Sequence, residues 1–230
     1  DCLLSRGLGD VYKRQVLEGL NFTIKKNSRI GFVGSTGSGK STTLDLLMSL
    51  LDPTNGAITV DGKKIDDQTK QAWQSNIVHV PQSIYLTDAT IAENIAFGVP
   101  KDEIDEESVR AAAAKSQIAE FIENGSNGYN AIVGERGIRL SGGQRQRIGI
   151  ARALYKQKAT VLIFDEATSA LDSRTEKDVM RCIDDLKLDF TIIIIAHRLS
   201  TLSNCDMIIQ LEQGKIVKKG NYEQFSTEKK

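Results

Sequence analysis

The chain has 230 residues, which is enough for one substantial hydrophobic core or for a core with a subdomain. Lysine plus arginine and aspartate plus glutamate each number 30, and the net charge of zero gives no electrostatic reason to expect a nucleic-acid partner. No stretch reaches the roughly 20 apolar residues of a membrane-spanning helix, and residues 1–15 lack the apolar segment of a signal peptide.

Apolar and polar residues alternate in the first third of the chain in a way that predicts strands, with one helix directly after a glycine-rich segment. The strands are predicted at 16–24, 29–33, 57–60 and 77–80, and the helix at 42–51. In that helix one face would carry Leu44, Leu47, Met48 and Leu51.

The middle of the chain is helical in pattern and rich in alanine from about residue 89 to residue 155, and its clearest predicted helix is 106–123. Strand patterns return after it. They lie at 161–164, 191–196, 207–211 and 215–218, with a helix at 175–188 and a hairpin-like end. An α/β sheet interrupted by a helical insertion is the most economical interpretation.

The glycine-rich segment after the second predicted strand fits the phosphate-loop pattern G-x-x-x-x-G-K-[ST] in its required context. Glycine lets backbone N–H groups surround phosphates, and the start of the next helix adds positive potential. Lys40 would reach the β- and γ-phosphates of ATP, and the Ser41 hydroxyl would bind Mg²⁺. A flexible Gly/Ser loop is the alternative, but the pattern arises by chance in roughly one per cent of chains this long. The predicted nucleotide contacts are Gly34, Ser35, Thr36, Gly37, Ser38, Gly39, Lys40, Ser41 and Thr42.

Two carboxylates, Asp165 and Glu166, follow the buried strand predicted at 161–164. Alone, such a pair is more often a solvated strand end. Beside a phosphate loop, Asp165 would hold Mg²⁺ mainly through its water shell, and Glu166 would orient and deprotonate the attacking water. The second acid predicts a hydrolase rather than a protein that only binds nucleotide.

A third segment, 140–144, reads Leu-Ser-Gly-Gly-Gln and precedes a helix predicted at 145–155. Serine and two glycines at a helix N-terminus can form a second anion site. Taken alone, the segment is more simply an N-cap with flexible glycines.

Together, the phosphate loop, segment 140–147 and the run Asp-Glu-Ala-Thr-Ser-Ala-Leu-Asp at 165–172 resemble the nucleotide-binding domain of an ATP-binding cassette (ABC) transporter. The resemblance covers the chain from about Val16 onward. It implies a RecA-like P-loop NTPase core at 16–82 and 156–230, with a helical subdomain at 83–155. It also implies a head-to-tail dimer, in which ATP on one phosphate loop is closed over by the other subunit. The closing residues would be Ser141, Gly142, Gly143 and Gln144.

The same resemblance gives roles to three more residues. Gln82 would sense Mg²⁺ and water and link the two lobes, His197 would contact the γ-phosphate, and Asp172 would communicate across the dimer. Without the surrounding motifs, Gln82 is a surface amide and His197 an ordinary histidine at a strand end. The other histidine, His79, matches no motif, and we interpret it as structural.

Two segments resemble those of exporters within the family: 133–137 (Val-Gly-Glu-Arg-Gly) and 90–95 (Thr-Ile-Ala-Glu-Asn-Ile). The resemblance implies a transmembrane permease domain, fused or separate, and a place at the cytoplasmic face of the cell membrane. Residues 81–98 also resemble those of flippases of lipid-linked oligosaccharides. Ile84, Tyr85 and Leu86 would lie on the loop that docks the permease, although a core role fits them equally well.

Two features depart from the family. Residues 1–15 lack its pattern and read as a truncated or foreign segment, so that Tyr12 is only a candidate for stacking on adenine. Loss of such a stack would weaken ATP binding by roughly 1–3 kcal/mol. Asn27 stands where the family commonly has glycine, and we expect the turn to survive because asparagine tolerates positive φ.

One alternative from another functional class remains open on the sequence. The domain could be a nucleotide-gated module without catalytic activity, folded but inert when separated from its membrane partner. The presence of all residues required for hydrolysis favours the enzyme, whereas the unusual start of the chain favours an impaired one.

Overall fold

The computed structural model describes residues 15–155, 159–168, 171–186 and 189–227. The strands are β1 (Arg29–Val33), β2 (Thr59–Val60), β3 (Lys63–Lys64), β4 (Ile77–Val80), β5 (Val161–Asp165), β6 (Thr191–Ala196), β7 (Met207–Glu212) and β8 (Lys215–Gly220). The helices are α1 (Lys40–Leu47), α2 (Lys70–Ser75), α3 (Ile91–Ile95), α4 (Glu106–Lys115), α5 (Ala119–Glu123), α6 (Gly142–Tyr155), α7 (Ser173–Asp185) and α8 (Tyr222–Ser226). None of the helices in these ranges combines the length and apolarity needed to span a bilayer.

A six-stranded sheet in the order β4-β5-β6-β1-β7-β8 forms the centre of the protein. Every neighbouring pair is parallel except β7 and β8, which form the expected hairpin. The isoleucine-rich β6 is buried along its whole length, as expected for a parallel strand covered on both faces. The predicted α/β fold is confirmed.

Side chains on the two faces of the sheet enter two different clusters, because successive residues of a strand point to opposite faces. On one face Phe164 and Ile194 pack with residues of α7. On the other, Phe32 and Ile163 pack with Leu44 of α1. The sheet is therefore a central layer with a helix on each side.

Helices α3 to α6 build a third apolar cluster, which includes the fully buried Ile95, Ala113 and Ile148. The predicted helical insertion is confirmed. It also contains an isolated antiparallel β-bridge between Thr90 and Ile132, which the sequence did not predict. Ile84 contacts both this cluster and the one beneath α7. It lies so close to Gly149 of α6 that a Cβ there would be 2.5 Å from its Cδ1 atom.

The helix predicted at 106–123 is wrong as one element, because α4 ends at Lys115 and α5 begins at Ala119. Gln117 lies between them with φ of 54°. Its carbonyl oxygen accepts a hydrogen bond from Arg147 at 2.9 Å, and its side-chain amide donates to Asp185 at 2.8 Å. The N–H groups of Gln117 and Ile118 also close the end of α4 on the carbonyl oxygens of Ala114 and Ala113, so local capping and tertiary contacts coincide at this break.

The strand predicted at 16–24 does not form, although its apolar residues do face the core. Leu20, Phe22 and Ile24 are partly buried against the cluster around Phe32, and the Phe22 and Phe32 rings lie 5.5 Å apart in an edge arrangement. The N–H of Glu18 donates to the carbonyl oxygen of Gly214 at 2.8 Å. The segment therefore bonds to the turn between β7 and β8 and does not pair with a strand of the sheet.

Helix α1 ends at Leu47, earlier than the predicted 51. Leu44 and Met48 are buried as expected, but Leu51 is 47% exposed. The chain leaves the helical path at Ser49, whose φ is 53°. The strand predicted at 57–60 corresponds to the shorter β2, Thr59–Val60. Helix α2 was not predicted from the sequence.

The other predicted elements are confirmed, with bounds shifted by a few residues at most. Asn27 adopts a positive φ of 56°, as predicted for the turn before β1. Its backbone N–H donates to the Thr191 hydroxyl at 3.0 Å, which ties this turn to the start of β6.

Candidate functional site

The segments that end β1, β4, β5 and β6 lie at one edge of the sheet, because parallel strands place their carboxyl ends together. The phosphate loop follows β1, Gln82 comes soon after β4, and His197 directly follows β6. The topology thus gathers motifs that lie more than a hundred residues apart in the sequence.

The phosphate loop has a backbone that only glycine can adopt at two points. The φ angles of Gly37 and Gly39 are 78° and 104°. A Cβ at Gly39 would overlap the Leu17 side chain, and one at Gly34 would overlap the Leu211 carbonyl oxygen. Gly39 is also the N-cap of α1 and offers no side-chain acceptor. The first N–H groups of α1 therefore stay available to an anion.

Lys40 is buried at the start of α1 and its ammonium group is held inside the loop. Its Nζ atom donates to the carbonyl oxygens of Gly34 at 2.8 Å and Ser35 at 3.0 Å. Burial lowers the pKa of Lys40, and the nearby carboxylates of Glu166 and Asp165 oppose that shift. The loop and the two acids thus form one electrostatic unit.

A cavity of about 310 Å³ opens between the phosphate loop and the ends of β5 and β6. Its lining residues are Val16, Thr36, Gly37, Gly39, Lys40, Ser41, Thr42, Glu166 and His197. The structure therefore brings six of the nine predicted nucleotide contacts together with Glu166 and His197, whereas Gly34, Ser35 and Ser38 are not part of this lining. Val16 was missed as a lining residue, because the sequence marks it only as the start of an apolar segment.

Glu166 and His197 are in direct contact at the mouth of this cavity. The Nε2 atom of His197 lies 2.5 Å from Oε1 of Glu166. Glu166 adopts φ of 50°, which is unfavourable for a residue with a side chain, while its N–H still donates to Ile195 of β6 at 3.1 Å. Such backbone positions concentrate at functional sites, where the surrounding structure maintains them.

Asp165 lies at the end of β5 among several other charged groups. Burial raises the pKa of its carboxyl group, the nearby His79 lowers it, and the carboxylates of Glu166 and Asp45 raise it further. Partial burial in turn lowers the pKa of His79, against the effect of Asp165 and Asp45. His79 pairs with Ile163 in the sheet register, which places it on the same face as Asp165. His79 therefore lies close enough to affect the site, which the sequence did not indicate.

These surroundings fit a divalent cation. The carboxylate of Asp165 and the hydroxyl of Ser41 offer the oxygen donors that Mg²⁺ prefers, and crowded carboxylates favour a positive charge between them. In the described ranges, no group of three or more His, Cys, Asp or Glu residues is arranged to hold a metal.

Segment 140–144 begins α6 with a capping box. The Ser141 hydroxyl accepts from the N–H of Gln144 at 3.2 Å, and the Gln144 side-chain oxygen accepts from the N–H of Ser141 at 2.8 Å. A Cβ at Gly143 would overlap the Thr175 side chain, so glycine allows α6 to approach the start of α7. The simple N-cap interpretation thus describes this segment within one chain, and its contact with a nucleotide stays a prediction.

A second cavity, of about 420 Å³, lies beside this segment. It is lined by Gln82, Ser83, Ile84, Tyr85, Arg136, Gly142, Arg145, Gln146, Ala167 and Leu171. Its lining shares no residue with that of the first cavity, as far as the described residues go. Gln82 and Gly142, the first glycine of segment 140–144, therefore line one cavity together, and neither lines the cavity at the phosphate loop.

Asp172 is the N-cap of α7. Its carboxylate accepts hydrogen bonds from the N–H groups of Arg174 at 3.0 Å and Thr175 at 3.1 Å. Hydrogen bonds from Thr175 are the main cause that lowers the pKa of Asp172. The predicted role of Asp172 across a dimer is not visible in a single chain, and Tyr12 lies outside the described residues.

The predicted docking loop divides into a buried and an exposed part. Leu86 is fully buried, whereas Tyr85 is 62% exposed. Arg152 of α6 supports the loop by donating to the carbonyl oxygen of Tyr85 at 3.0 Å and to that of Asn94 at 2.9 Å. Its guanidinium group also lies 4.4 Å from the centre of the Phe97 ring. A rigid support thus holds an exposed aromatic residue at this surface.

Comparisons with known proteins agree with this geometry. The family model described as ABC transporter matches residues 17–169. The ATP-dependent lipid A-core flippase of Saccharophagus degradans is 46% identical over 207 residues, which are 90% of this chain and 35% of the flippase. The beta-(1→2)glucan export ATP-binding/permease protein NdvA of Rhizobium etli is 42% identical over 223 residues, 97% of this chain and 37% of that protein.

A solved structure of a bacterial Atm1-family ABC exporter with ATP bound has a TM-score of 0.82 and 41% identity. The match covers 95% of this chain and 38% of that one. The chain thus spans roughly a third of the length of the relatives it matches.

Proposed function

This chain belongs to the ABC transporter family, and from that premise we propose that it binds ATP with Mg²⁺ and hydrolyses the nucleotide to drive export across a membrane.

The contact between Glu166 and His197 carries this proposal. Two side chains capable of proton transfer lie 2.5 Å apart, on the same cavity as the ammonium group of Lys40. Phosphoryl transfer needs positioned groups and neutralised charge more than covalent chemistry from the protein. A module that only bound nucleotide would need the loop and Lys40, but would not need a carboxylate paired with a histidine beside them.

Each residue around the cavity then has a distinct role. The loop N–H groups and Lys40 bind the phosphates, Glu166 orients and deprotonates the attacking water, and His197 holds Glu166 and contacts the γ-phosphate. Gln82 lines the neighbouring cavity. Movement of the helical subdomain relative to the α/β core would bring it to this site.

Ser41 and Asp165 would hold Mg²⁺, Asp165 through water, and Gln82 would complete the set. When bound, the ion neutralises charge on the phosphate oxygens. The protein contributes Asp165 in a place where burial, and after it the neighbouring carboxylates, raise its pKa, so that a bound cation would stabilise its charged form.

The functional unit is a head-to-tail dimer. Segment 140–144 and the phosphate loop lie on separate cavities of one chain, and α6 begins with N–H groups suited to an anion. A second copy or a similar domain would place Ser141, Gly142, Gly143 and Gln144 over the γ-phosphate. Asp172, at the exposed start of α7, would lie close to that interface.

The domain acts at the cytoplasmic face of the cell membrane, attached to a permease domain that is fused or separate. The names of its relatives, a flippase and a glucan exporter, support export as the direction of transport. The exposed Tyr85 above Arg152 supports the loop at 84–86 as the surface that meets the permease.

Phosphate release from ATP and Mg²⁺, measured at several protein concentrations, tests the proposal. A dimeric ATPase predicts a rate that rises more steeply than linearly with protein concentration. The Lys40→Ala variant, which lacks the loop ammonium group, is the control for contaminating activity. A native rate equal to that of this control, in protein that still binds ATP, would establish the alternative of a nucleotide-gated module without catalysis.

A further inference from the structure

The carboxylate of Glu176, in the first turn of α7, accepts three hydrogen bonds from two different segments. Its Oε1 atom accepts from the hydroxyl of Thr201 at 2.9 Å and from that of Thr168 at 3.3 Å. Its Oε2 atom accepts from Nη1 of Arg198 at 3.1 Å. One side chain therefore connects the segment after β5 with the segment after β6.

These two segments carry the residues that meet at the cavity mouth. Thr168 is two residues after Glu166, and Arg198 directly follows His197. The distance between Glu166 and His197, 2.5 Å, depends on the relative position of the two segments. In addition to the ladder between β5 and β6, the side chain of Glu176 connects the two segments on the side of α7.

The chemistry of this junction favours a carboxylate. An ionised carboxylate accepts at both oxygens and pairs with the charge of Arg198, whereas a glutamine amide is neutral and has one acceptor oxygen. Thr168 and Thr201 are buried, and the Glu176 side chain is only 14% exposed. An amide in this place would lose the charge-assisted bond to Arg198 and would have to turn its NH₂ group toward the threonine hydroxyls or toward the arginine.

The phosphate loop is supported by other contacts. Gly214 N–H donates to the carbonyl oxygen of Ser38 at 3.0 Å, and Lys40 donates to Gly34 at 2.8 Å. A change at Glu176 should therefore alter the geometry of the reacting groups and leave nucleotide binding intact. This separation distinguishes a positioning role from general support of the fold.

We propose that Glu176 is a positioning residue for ATP hydrolysis, which sets the contact between Glu166 and His197 by joining the segments that carry them. The proposal rests on the proposed ATPase function. In Glu176→Gln, kcat should fall by about tenfold or more, because small displacements of reacting groups have large effects on rate. The KM for ATP should stay within about twofold of the native value.

Asp178 offers a matched control on the same helix. Its carboxylate also pairs with an arginine, Arg181, at 3.6 Å, but it is 41% exposed. Asp178→Asn should leave kcat unchanged. Glu176→Asp keeps a pure acceptor with a shorter reach and should retain more activity than Glu176→Gln. Arg198→Gln removes one of the three bonds from the exposed side and should lower kcat by about threefold with the fold intact.

A second measurement follows the geometry without turnover. The chain has two histidines, so the imidazole C–H spectrum is simple and His79→Gln identifies the signal of His197. In nucleotide-free protein, Glu176→Gln should move this signal toward its position in Glu166→Gln, since both changes disrupt the same contact. Asp178→Asn should not move it.

The two readouts separate the two proposals. If native protein releases no phosphate, the ATPase function fails, and the His197 signal alone then decides on Glu176. An unmoved His197 signal overturns the positioning role. So does a kcat within about twofold of native, or a KM that rises in step with the loss of kcat.

Discussion

The turn between β7 and β8 contacts the phosphate loop and stabilises its conformation. The substitution Gly214→Ala tests this contribution. Gly214 has φ of 78°, its N–H donates to Ser38 of the loop, and its carbonyl oxygen accepts from Glu18. A Cβ there would overlap the carbonyl oxygen of Val16 and lie 3.2 Å from the Cα atom of Leu17. Backbone atoms cannot rotate away, so the segment that lines the cavity must move.

Gly62 provides the matched control. Its φ is 77°, almost the same as at Gly214, but a Cβ there meets nothing within 4 Å. Gly62→Ala should therefore cost about 1–2 kcal/mol, the cost of a left-handed backbone with a side chain. Gly214→Ala carries the same cost plus about 1–3 kcal/mol for displacing a packed segment. In a chain of this size the difference should lower Tm by about 5 °C more than the control does.

Thermal unfolding and ATP binding, measured on both variants, check this reasoning. Only Gly214→Ala should weaken binding of a fluorescent ATP analogue, by about tenfold, because only Gly214 contacts both Ser38 and Val16. Equal Tm values for the two variants would refute the steric argument. An unchanged Kd in Gly214→Ala would refute the link between this turn and the loop.

Three further predictions concern the acids and the docking loop. Glu166→Gln should abolish phosphate release while ATP still binds; unchanged turnover would refute the role of Glu166. Because the pKa of Asp165 is raised in the folded protein, its protonated form contributes stability below the unfolded pKa, and this contribution is lost as pH rises through the folded pKa. Without Mg²⁺, Asp165→Asn should therefore raise Tm at pH 7.5 and change it little at pH 3.5, and an equal gain at both would contradict this. Arg152→Lys keeps the charge but loses the fork that holds Tyr85 and Asn94, so we expect a loss of about 2 kcal/mol and a Tm lower by about 5 °C; a Tm within 1 °C of native would count against it.

Much of the sheet was predictable because each buried strand is a short apolar run that ends at a turn or a functional motif. The bounds predicted for the strands at 29–33, 77–80 and 191–196 agree with β1, β4 and β6. The hairpin of β7 and β8 also agrees, since a turn at Gln213 and Gly214 separates its two strands. In these places local pattern and tertiary structure demand the same conformation.

The predictions failed where distant contacts outweighed the local pattern. Residues 106–123 have good helical periodicity, yet Gln117 adopts φ of 54° at a helix C-cap, where Arg147 and Asp185 bind its carbonyl and amide groups. Residues 16–24 alternate like a strand and bury the expected side chains, but Gly214 takes the hydrogen bond of Glu18 that a ladder would have used. Neither partner can be identified from the local sequence.

The sequence by itself determined the candidate functional residues of this protein: a phosphate loop, two acids after a buried strand and a histidine after another, each recognisable because its proposed function requires particular residues at a particular spacing. Only the tertiary structure decided how these groups meet. The parallel order β5-β6-β1 places Glu166 against His197 beside Lys40, while Gln82 and Gly142 line a different cavity. The same packing brings Glu176 into contact with the segments after β5 and β6. Strand order and helix packing set such distances between remote residues, and a local motif does not encode them.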